Sequence, residues 1–207
     1  MFSLEDGIAA LKAGELVIYP TETFYGLGAD PFSAGALKLL FAAKARDAER
    51  PVGLIAADTA MAFSIAREIS GSARRLADAF WPGPLTLVLP ARDGFAPELV
   101  GADGVAVRVS SDPIARALAA GFGKPITATS ANASGKAPAT TIAEARSAFG
   151  AKVKVYLEGG KLTATAPSTV VAFSRDESKM RDEVKVIRIG AIAKDQIAAV
   201  LAGEMLK

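Results

Sequence analysis

Apolar side chains recur with a helical spacing in some segments of this sequence and as short, strand-like runs in others. The first helical pattern opens at Ser3, carries Leu4, Ile8 and Leu11 on one face, and ends at Gly14. Because Ser, Asp and Thr before an apolar pattern are typical N-caps, further helices are expected to begin at 33, 58, 112 and 141. Strands are predicted at 16–19, 52–56, 85–89, 105–109, 126–129, 153–157, 169–173 and 184–189, and helices at 33–44, 58–80 with a break near 70–72, from 112, from 141 and at 193–201.

Helices and strands therefore interleave, without an internal repeat or a low-complexity linker. This order predicts an α/β (α+β) fold with one central mixed sheet and a single domain over residues 1–207. The polar segment Ser174–Glu183 is predicted to be an exposed connection between the last two strands. The loop Pro20–Gly28, rich in hydroxyls and glycines, is predicted to be extended chain after a buried strand.

Composition narrows the function classes. Lys and Arg number 24 against 22 Asp and Glu, so the chain is not the polycation that binds nucleic acid nonspecifically, and any basic patch must be local. The chain has no cysteine and its first residues do not resemble a secretion signal, which predicts a cytoplasmic protein. No apolar run approaches the roughly 20 residues that span a bilayer, so no membrane segment is predicted.

The chain also has no histidine, and this excludes several kinds of site. Ser-His-Asp and Cys-His nucleophilic machinery cannot form, and neither can His/Cys zinc centres. Neither a Walker phosphate loop nor a G-x-G-x-x-G fingerprint occurs, so any nucleotide is bound in another way. What remains is catalysis by positioning and by charge stabilisation.

Three cations, Lys44, Arg46 and Arg50, lie within seven residues at the end of the second predicted helix. They could neutralise a triphosphate and the charge that develops during its transfer. The alternative is a solvated helix terminus, where the helix dipole favours cations. The cluster alone leaves both interpretations open.

A second candidate is the loop that follows the strand at 126–129. Ser130 and Asn132 are neighbours in a run of small residues, which allows backbone groups to approach a ligand closely. Arg108 and Arg188 interrupt apolar strands, so each must meet an anion or lie on a solvated sheet edge. A plain polar turn and an amphipathic edge are the alternatives. Trp81, beside a Pro-Gly-Pro turn, is interpreted as structural.

Taken together, the motifs resemble the YrdC/TsaC family, the L-threonylcarbamoyladenylate synthases. The resemblance covers nearly the whole chain, in family order, and corresponds to the short form of the family. It is carried by Tyr19-Pro20-Thr21-Glu22-Thr23-Phe24-Tyr25-Gly26-Leu27, Lys44-x-Arg46 with Arg50-Pro51, Trp81-Pro82-Gly83-Pro84-Leu85-Thr86, Val105-Ala106-Val107-Arg108, Ser130-Ala131-Asn132-x-Ser134-Gly135, Pro167-Ser168-Thr169-Val170 and Ile187-Arg188-x-Gly190.

The resemblance implies a twisted open mixed sheet flanked by helices, with a basic concave cavity. It also implies the reaction in which threonine, bicarbonate and ATP give threonylcarbamoyl-AMP and pyrophosphate, for the modification at position 37 of tRNA. tRNA and downstream threonylcarbamoyl-transferase proteins are the implied partners, and RNA binding an implied property. By position, Thr23, Arg108 and Ser168 would bind threonine, with Thr169 as a further candidate. Lys44, Arg46, Arg50, Ser130, Asn132 and Arg188 would bind ATP, with Lys44 and Arg46 catalytic.

No carboxylate cluster marks a metal site, but Mg²⁺ held mostly by nucleotide phosphates needs few protein ligands and is expected with ATP. Two alternatives to the synthase stay open from the residues. One is an RNA-binding or ribosome-assembly module of the same fold, which would bind RNA with a steep salt dependence and form no product. The other is an enzyme that acts on a different carbamoyl adenylate, since function depends on the site rather than on the fold.

Overall fold

The computed structural model describes residues 2–45, 51–133, 135–176 and 181–201. Helices and strands interleave along these segments, as the sequence predicts. The helices are α1 (Leu4–Lys12), α2 (Ala34–Lys44), α3 (Thr59–Ser64), α4 (Gly71–Phe80), α5 (Pro113–Phe122), α6 (Ile142–Phe149) and α7 (Lys194–Val200). The strands are β1 (Val17–Tyr19), β2 (Gly26–Gly28), β3 (Gly53–Ala56), β4 (Leu85–Leu89), β5 (Val100–Gly101), β6 (Gly104–Val109), β7 (Ile126–Ser130), β8 (Val155–Tyr156), β9 (Thr169–Asp176) and β10 (Arg181–Arg188).

Side-chain caps begin α1, α2, α3, α5 and α6 where the sequence predicts them. Ser3 accepts a hydrogen bond from the backbone N–H of Asp6, whose carboxylate accepts one from the Ser3 N–H in return, and Thr141 forms the same capping box with Glu144. Asp112 caps α5 by accepting from two backbone N–H groups of its first turn. These caps satisfy donors that would otherwise lack a partner inside the helix.

The described strands form one mixed sheet in the order β10-β9-β4-β6-β3-β7-β2-β1-β8, with β5 beside β6. β3 pairs with β6, β4 with β9 and β1 with β8 in parallel, and the other pairs are antiparallel. The predicted mixed sheet with flanking helices is therefore confirmed. That residues 1–207 form a single domain stays a prediction.

Each face of the sheet carries its own apolar layer. Because side chains alternate along a strand, Leu54 lies in the larger cluster with α2 and α4, and Ile55 packs in a second cluster with α1 and α5. Gly53 and Ile55 are two positions apart on β3 and therefore lie on the same face of the sheet. The helices α1 and α5 cover the sheet at Ile55, and the cavity described below opens over Gly53.

Two predictions about connecting segments were wrong, and the break in the helical segment 58–80 covers 65–70 rather than 70–72. Residues 26–28 are not an extended loop, since β2 pairs with β1 there. The segment Ser174–Glu183 is not simply a connection, because β9 runs to Asp176 and β10 begins at Arg181, with 177–180 outside the described residues. A ladder of backbone hydrogen bonds needs no apolar side chains, and a polar sequence is therefore compatible with this hairpin at the sheet edge. Over the described segments, no helix combines the length and the apolar character that crossing a membrane requires.

Candidate functional site

A cavity of about 620 Å³ opens over one face of the sheet. Strands from early, middle and late parts of the sequence line it. They include β2, β3, β6 and β7, together with the start of β9 and the end of β10. The floor consists of Gly53, Ala106 and Ala128, on three adjacent strands. A Cβ built at Gly53 would meet no atom closer than 3.7 Å. Small side chains therefore leave room above the sheet for a ligand.

Arg108 provides a cation to this cavity from the end of β6. Its Nη1 donates to Glu22, with which it forms an ion pair, and to the hydroxyl of Thr23 at 3.2 Å. Glu22 also accepts a hydrogen bond from the hydroxyl of Ser110, which is fully buried. The Thr23 hydroxyl lies 3.0 Å from that of Thr21, so the loop after β1 is tied to β6 by polar contacts.

Arg188 lies at the end of β10 and contacts the residue that precedes β9. Its Nε and Nη2 donate to the backbone carbonyl of Ser168 at 3.1 and 2.9 Å, and Nη2 donates to the Ser168 hydroxyl at 3.1 Å. That hydroxyl is 2.9 Å from the hydroxyl of Thr86 on β4. Gly190 allows this approach, because a Cβ there would lie 2.1 Å from the carbonyl oxygen of Pro167.

The charge of Arg108 reaches Arg188, the second arginine of the cavity lining. Partial burial of its guanidinium, and then the charge of Arg108, lower the pKa of Arg188. Arginine nevertheless stays protonated in proteins, so both groups remain cations. Two guanidiniums against the single carboxylate of Glu22 leave a net positive charge beside neutral hydroxyls, which favours anions, and their planar forks match carboxylate and phosphate oxygens.

A second group of contacts lies at the end of α2. The Nζ of Lys44 donates to the backbone carbonyl of Ser130, which lines the cavity, and to the side-chain oxygen of Asn132 at 3.3 Å. The Ser130 hydroxyl donates to the same Asn132 oxygen at 2.5 Å. The amide nitrogen of Asn132 donates to the carbonyl of Lys136, which fixes the orientation of its side chain. The helix end and the small-residue loop thus form one polar cluster.

Most of the residues singled out in the sequence are brought together. Thr23, Arg108, Ser130, Ser168 and Arg188 line the cavity. Lys44 and Asn132 lie behind Ser130, and Arg46 and Arg50 lie outside the described residues. Thr169 is fully buried, and its hydroxyl bonds the backbone of Gly190 and Ile192.

Sequence reasoning missed Glu22, Ser110 and Thr86. Glu22 lies 86 positions from Arg108, so spacing alone could not place the carboxylate beside the guanidinium. Glu22 and Thr86 each belong to one of the motifs that carry the family resemblance, and this signal could have found both. Trp81 is buried, packs against Phe63 with ring centroids 5.8 Å apart, and donates its indole N–H to a backbone carbonyl. These contacts are those of a structural residue.

Comparisons with known proteins identify relatives of this chain. Residues 9–190 match the Sua5/YciO/YrdC family, which carries the description telomere recombination. The threonylcarbamoyl-AMP synthase of Thiobacillus denitrificans is 42% identical over 164 residues, 79% of this chain and 87% of that protein. That of Chromohalobacter salexigens is 39% identical over 180 residues, 86% of this chain and 96% of its own length.

A solved structure gives the same result for the fold. The crystal structure of Pyrococcus abyssi Sua5 complexed with L-threonine superposes on 99% of this chain with a TM-score of 0.89 and 33% sequence identity. This chain spans 58% of the length of that larger protein. The similarity therefore extends over one part of Sua5 and over essentially all of this chain.

Proposed function

This chain belongs to the Sua5/YciO/YrdC family, and from that membership and the chemistry of the cavity we propose that it is an L-threonylcarbamoyladenylate synthase. It converts threonine, bicarbonate and ATP into threonylcarbamoyl-AMP and pyrophosphate. The observation that carries the proposal is that Arg108, Arg188 and Ser168 line one cavity of about 620 Å³, where Arg188 is hydrogen-bonded to Ser168. All three substrates are anions or carry an anionic group, and they must be gathered in one place before they react.

Threonine binds at the Arg108 side. The guanidinium of Arg108 pairs with the carboxylate of the amino acid, and the hydroxyls of Thr23 and Ser168 provide neutral donors and acceptors beside it. All three residues are at least nine-tenths buried and line the cavity, which supports a site where hydrogen bonds to a small ligand replace contacts with water.

ATP binds toward Ser130 and Asn132, with Arg188 across the cavity. Lys44 fixes the Ser130–Asn132 loop through hydrogen bonds to Ser130 and Asn132, and backbone groups of that loop approach the nucleotide. Lys44 and Arg46 are assigned the catalytic role of neutralising charge on the transferring phosphate, with Arg50 beside the triphosphate. Lys44, the first of the three cations, contacts Ser130, and Pro51, which follows Arg50, lines the cavity; these two positions support the assignment.

The reaction needs no histidine. The threonine amine and bicarbonate form a carbamate with loss of water, a carbamate oxygen attacks the α-phosphorus of ATP, and pyrophosphate leaves with the electron pair of the broken P–O bond. The barrier then consists mainly of bringing anions together and stabilising the charge on the phosphorus oxygens. Fixed guanidinium and ammonium groups provide this stabilisation.

Mg²⁺ accompanies ATP in this proposal and is bound chiefly by the phosphates. In the described segments, Asp and Glu form no group of three or more that could hold a metal ion. A magnesium ion bound through the nucleotide requires few protein ligands, so the residues present are compatible with it. Within the cell we place the enzyme in the cytoplasm, where its product would be consumed by transferases that modify tRNA.

Product identity tests the function directly. The purified protein is incubated with threonine, bicarbonate, Mg²⁺ and ATP, and threonylcarbamoyl-AMP and pyrophosphate are measured by mass spectrometry and a coupled assay. Equal amounts of both products, dependent on threonine, are expected. Another carbamoyl adenylate would overturn the threonine assignment, and RNA binding without any adenylate would favour the RNA-binding module.

Arg46→Ala tests the cationic segment. We expect a loss of about 100-fold or more in threonine-dependent pyrophosphate release, because a charge that stabilises the transferring phosphate is removed. Lys38→Ala is the matched control. It also removes one cation, but from an exposed position on α2, the helix that precedes Arg46 in the sequence. Turnover of Arg46→Ala equal to that of Lys38→Ala would refute the assignment.

A further inference from the structure

We propose that Glu22 is a positioning residue, which orients Arg108 to receive the carboxylate of threonine. The inference rests on the synthase function proposed above. One carboxylate oxygen of Glu22 accepts from Nη1 of Arg108, and the other accepts from the Ser110 hydroxyl. The Arg108 and Glu22 side chains are only 9% and 12% exposed. The pair is therefore shielded from the solvent that weakens surface ion pairs.

Glu22 acts from behind the cavity wall. Thr21 and Thr23, its neighbours in sequence, line the cavity together with Arg108, whereas Glu22 does not. Its carboxylate is thus not presented to an anionic substrate, which it would repel. Glu22 influences the ligand through the guanidinium that it binds.

The hydrogen bonds of Arg108 show which edge is left for the ligand. Its two side-chain hydrogen bonds to residues that the structure describes, to Glu22 and to Thr23, are both donated by Nη1. Among the described residues, no hydrogen bond reaches Nε or Nη2 of Arg108. A guanidinium binds a carboxylate most tightly through two parallel N–H donors, and the Nε–Nη2 edge provides such a pair. By fixing Nη1, Glu22 and Thr23 direct that edge toward the ligand.

Glu22 also compensates the charge of a buried arginine. Arg108 and Arg188 are close enough for the first to lower the pKa of the second, so the cavity wall carries two cations. A buried cation without a counterion is costly, and removal of one partner of a buried pair leaves that cost uncompensated. Without Glu22, the Arg108 side chain would be expected to turn away from Arg188 and toward solvent.

A chain of hydrogen bonds anchors Glu22 itself. The Ser110 hydroxyl donates to Glu22 and accepts from the backbone N–H of Asp112, the N-cap of α5. Glu22 is thereby fixed to the loop between β6 and α5. A positioning role predicts that Ser110 matters too, although it lies one contact further from Arg108.

The experiment measures KM for threonine, KM for ATP and kcat in Glu22→Gln, Glu22→Asp and Ser110→Ala. We expect Glu22→Gln to raise KM for threonine about tenfold or more, with KM for ATP within about twofold of the original protein. Glu22→Asp keeps the charge but shortens the reach, and should rescue part of the loss. Ser110→Ala should give a smaller rise, about threefold. Asp103→Asn is the matched control, because it removes an exposed ion pair, with Lys185, on the turn that leads into β6.

Unchanged KM for threonine in Glu22→Gln would overturn the inference, and so would equal increases in both KM values. If Glu22→Gln does not fold, KM for threonine in Ser110→Ala tests the inference instead. That variant removes one hydroxyl and keeps the ion pair between Arg108 and Glu22. Calorimetric titration with threonine provides a readout that needs no turnover. An original protein that forms no threonylcarbamoyl-AMP would refute the proposed function, whereas weakened threonine binding in Glu22→Gln would still support the positioning role.

Discussion

Tyr19 links the architecture of the sheet to the cavity. Its ring covers Gly26 and Gly28, where an added Cβ would lie 2.9 Å from ring atoms, and its hydroxyl donates to the backbone carbonyl of Thr127 at 2.8 Å. Burial raises the pKa of Tyr19, while Arg108 lowers it and Glu22 raises it to a smaller extent. The hydroxyl therefore remains protonated under ordinary conditions and fastens β1 to β7 across β2.

Tyr19→Phe should reduce the free energy of unfolding by about 1–3 kcal/mol, because the Thr127 carbonyl loses a buried donor. The difference in the free energy of unfolding between the original protein and Tyr19→Phe should narrow above pH 10. There the unfolded tyrosine ionises while the native one keeps its proton, so the native state of the original protein binds more protons and loses stability as the pH rises. Urea unfolding at pH 8 and pH 10.5 checks this. A difference that does not change with pH would contradict it.

Single residues also show which parts of the cavity could be predicted from the sequence. A charge inside an apolar strand marked Arg108 and Arg188, and both lie in the cavity. Glu22 carries no such mark, because it lies in a polar loop whose partner is far away in sequence. The residues next to an arginine in sequence can mark it as a candidate site residue. The ion pair between Glu22 and Arg108 depends on the order of the strands in the sheet, which the sequence pattern does not reveal.

At the scale of elements, the floor of the cavity is a property of three strands. β3, β6 and β7 are neighbours in the sheet and place Gly53, Ala106 and Ala128 side by side. One residue further along β3, Leu54 is fully packed on the opposite face. The same strands thus close the core on one side and leave a recess on the other.

Gly53→Ala and Gly53→Val test this floor. The position has ordinary backbone geometry, with free space above it, so Ala should stabilise the protein by about 0.4–1 kcal/mol by reducing the freedom of the unfolded chain. Both variants should lower threonine-dependent turnover, and Val should lower it more, because added methyl groups occupy ligand space. Denaturant midpoints and steady-state rates measure the two effects.

Gly104→Val provides the contrast for this series. Gly104 has a φ of +120°, and a Cβ there would lie 2.0 Å from the carbonyl oxygen of Leu89. We expect this variant to unfold at far lower denaturant than Gly53→Val. If Gly53→Val were equally unstable, its loss of activity could not be attributed to the cavity.

Elements with local signals were predictable from sequence. The caps at Ser3 and Thr141 begin their helices as predicted, because a capping box is formed by residues three positions apart. β2 was missed because Gly-Leu-Gly has a low strand propensity. Its glycines are required by the ring of Tyr19 on the neighbouring strand, and this requirement appears only once the strands are paired.

At the scale of the whole molecule, the formal net charge is only +2, yet Arg108 and Arg188 concentrate positive charge in one cavity. Ligands that fill the cavity bind the native state and should stabilise it. ATP with Mg²⁺ at about 100 times its Kd adds about 2.7 kcal/mol, which raises Tm by about 5–10 °C for a protein of this size.

Thermal scans with ATP, with AMP and with threonine check this expectation. AMP lacks the two terminal phosphates and should produce a smaller shift at the same concentration. Threonine, added at saturating concentration, should raise Tm through its contact with Arg108. An absence of any shift with ATP would contradict a nucleotide site in the cavity.

The strand order has a consequence for how the protein is made. β9 and β10 are the last strands of the sheet to leave the ribosome, and they bring Ser168 and Arg188 to the side of β4. Until they emerge, β4 is an unpaired sheet edge and the nascent chain exposes backbone groups that can associate with other chains. Synthesis must therefore pass residue 188 before the anion site exists, and a chain that stalls earlier is both inactive and prone to aggregate.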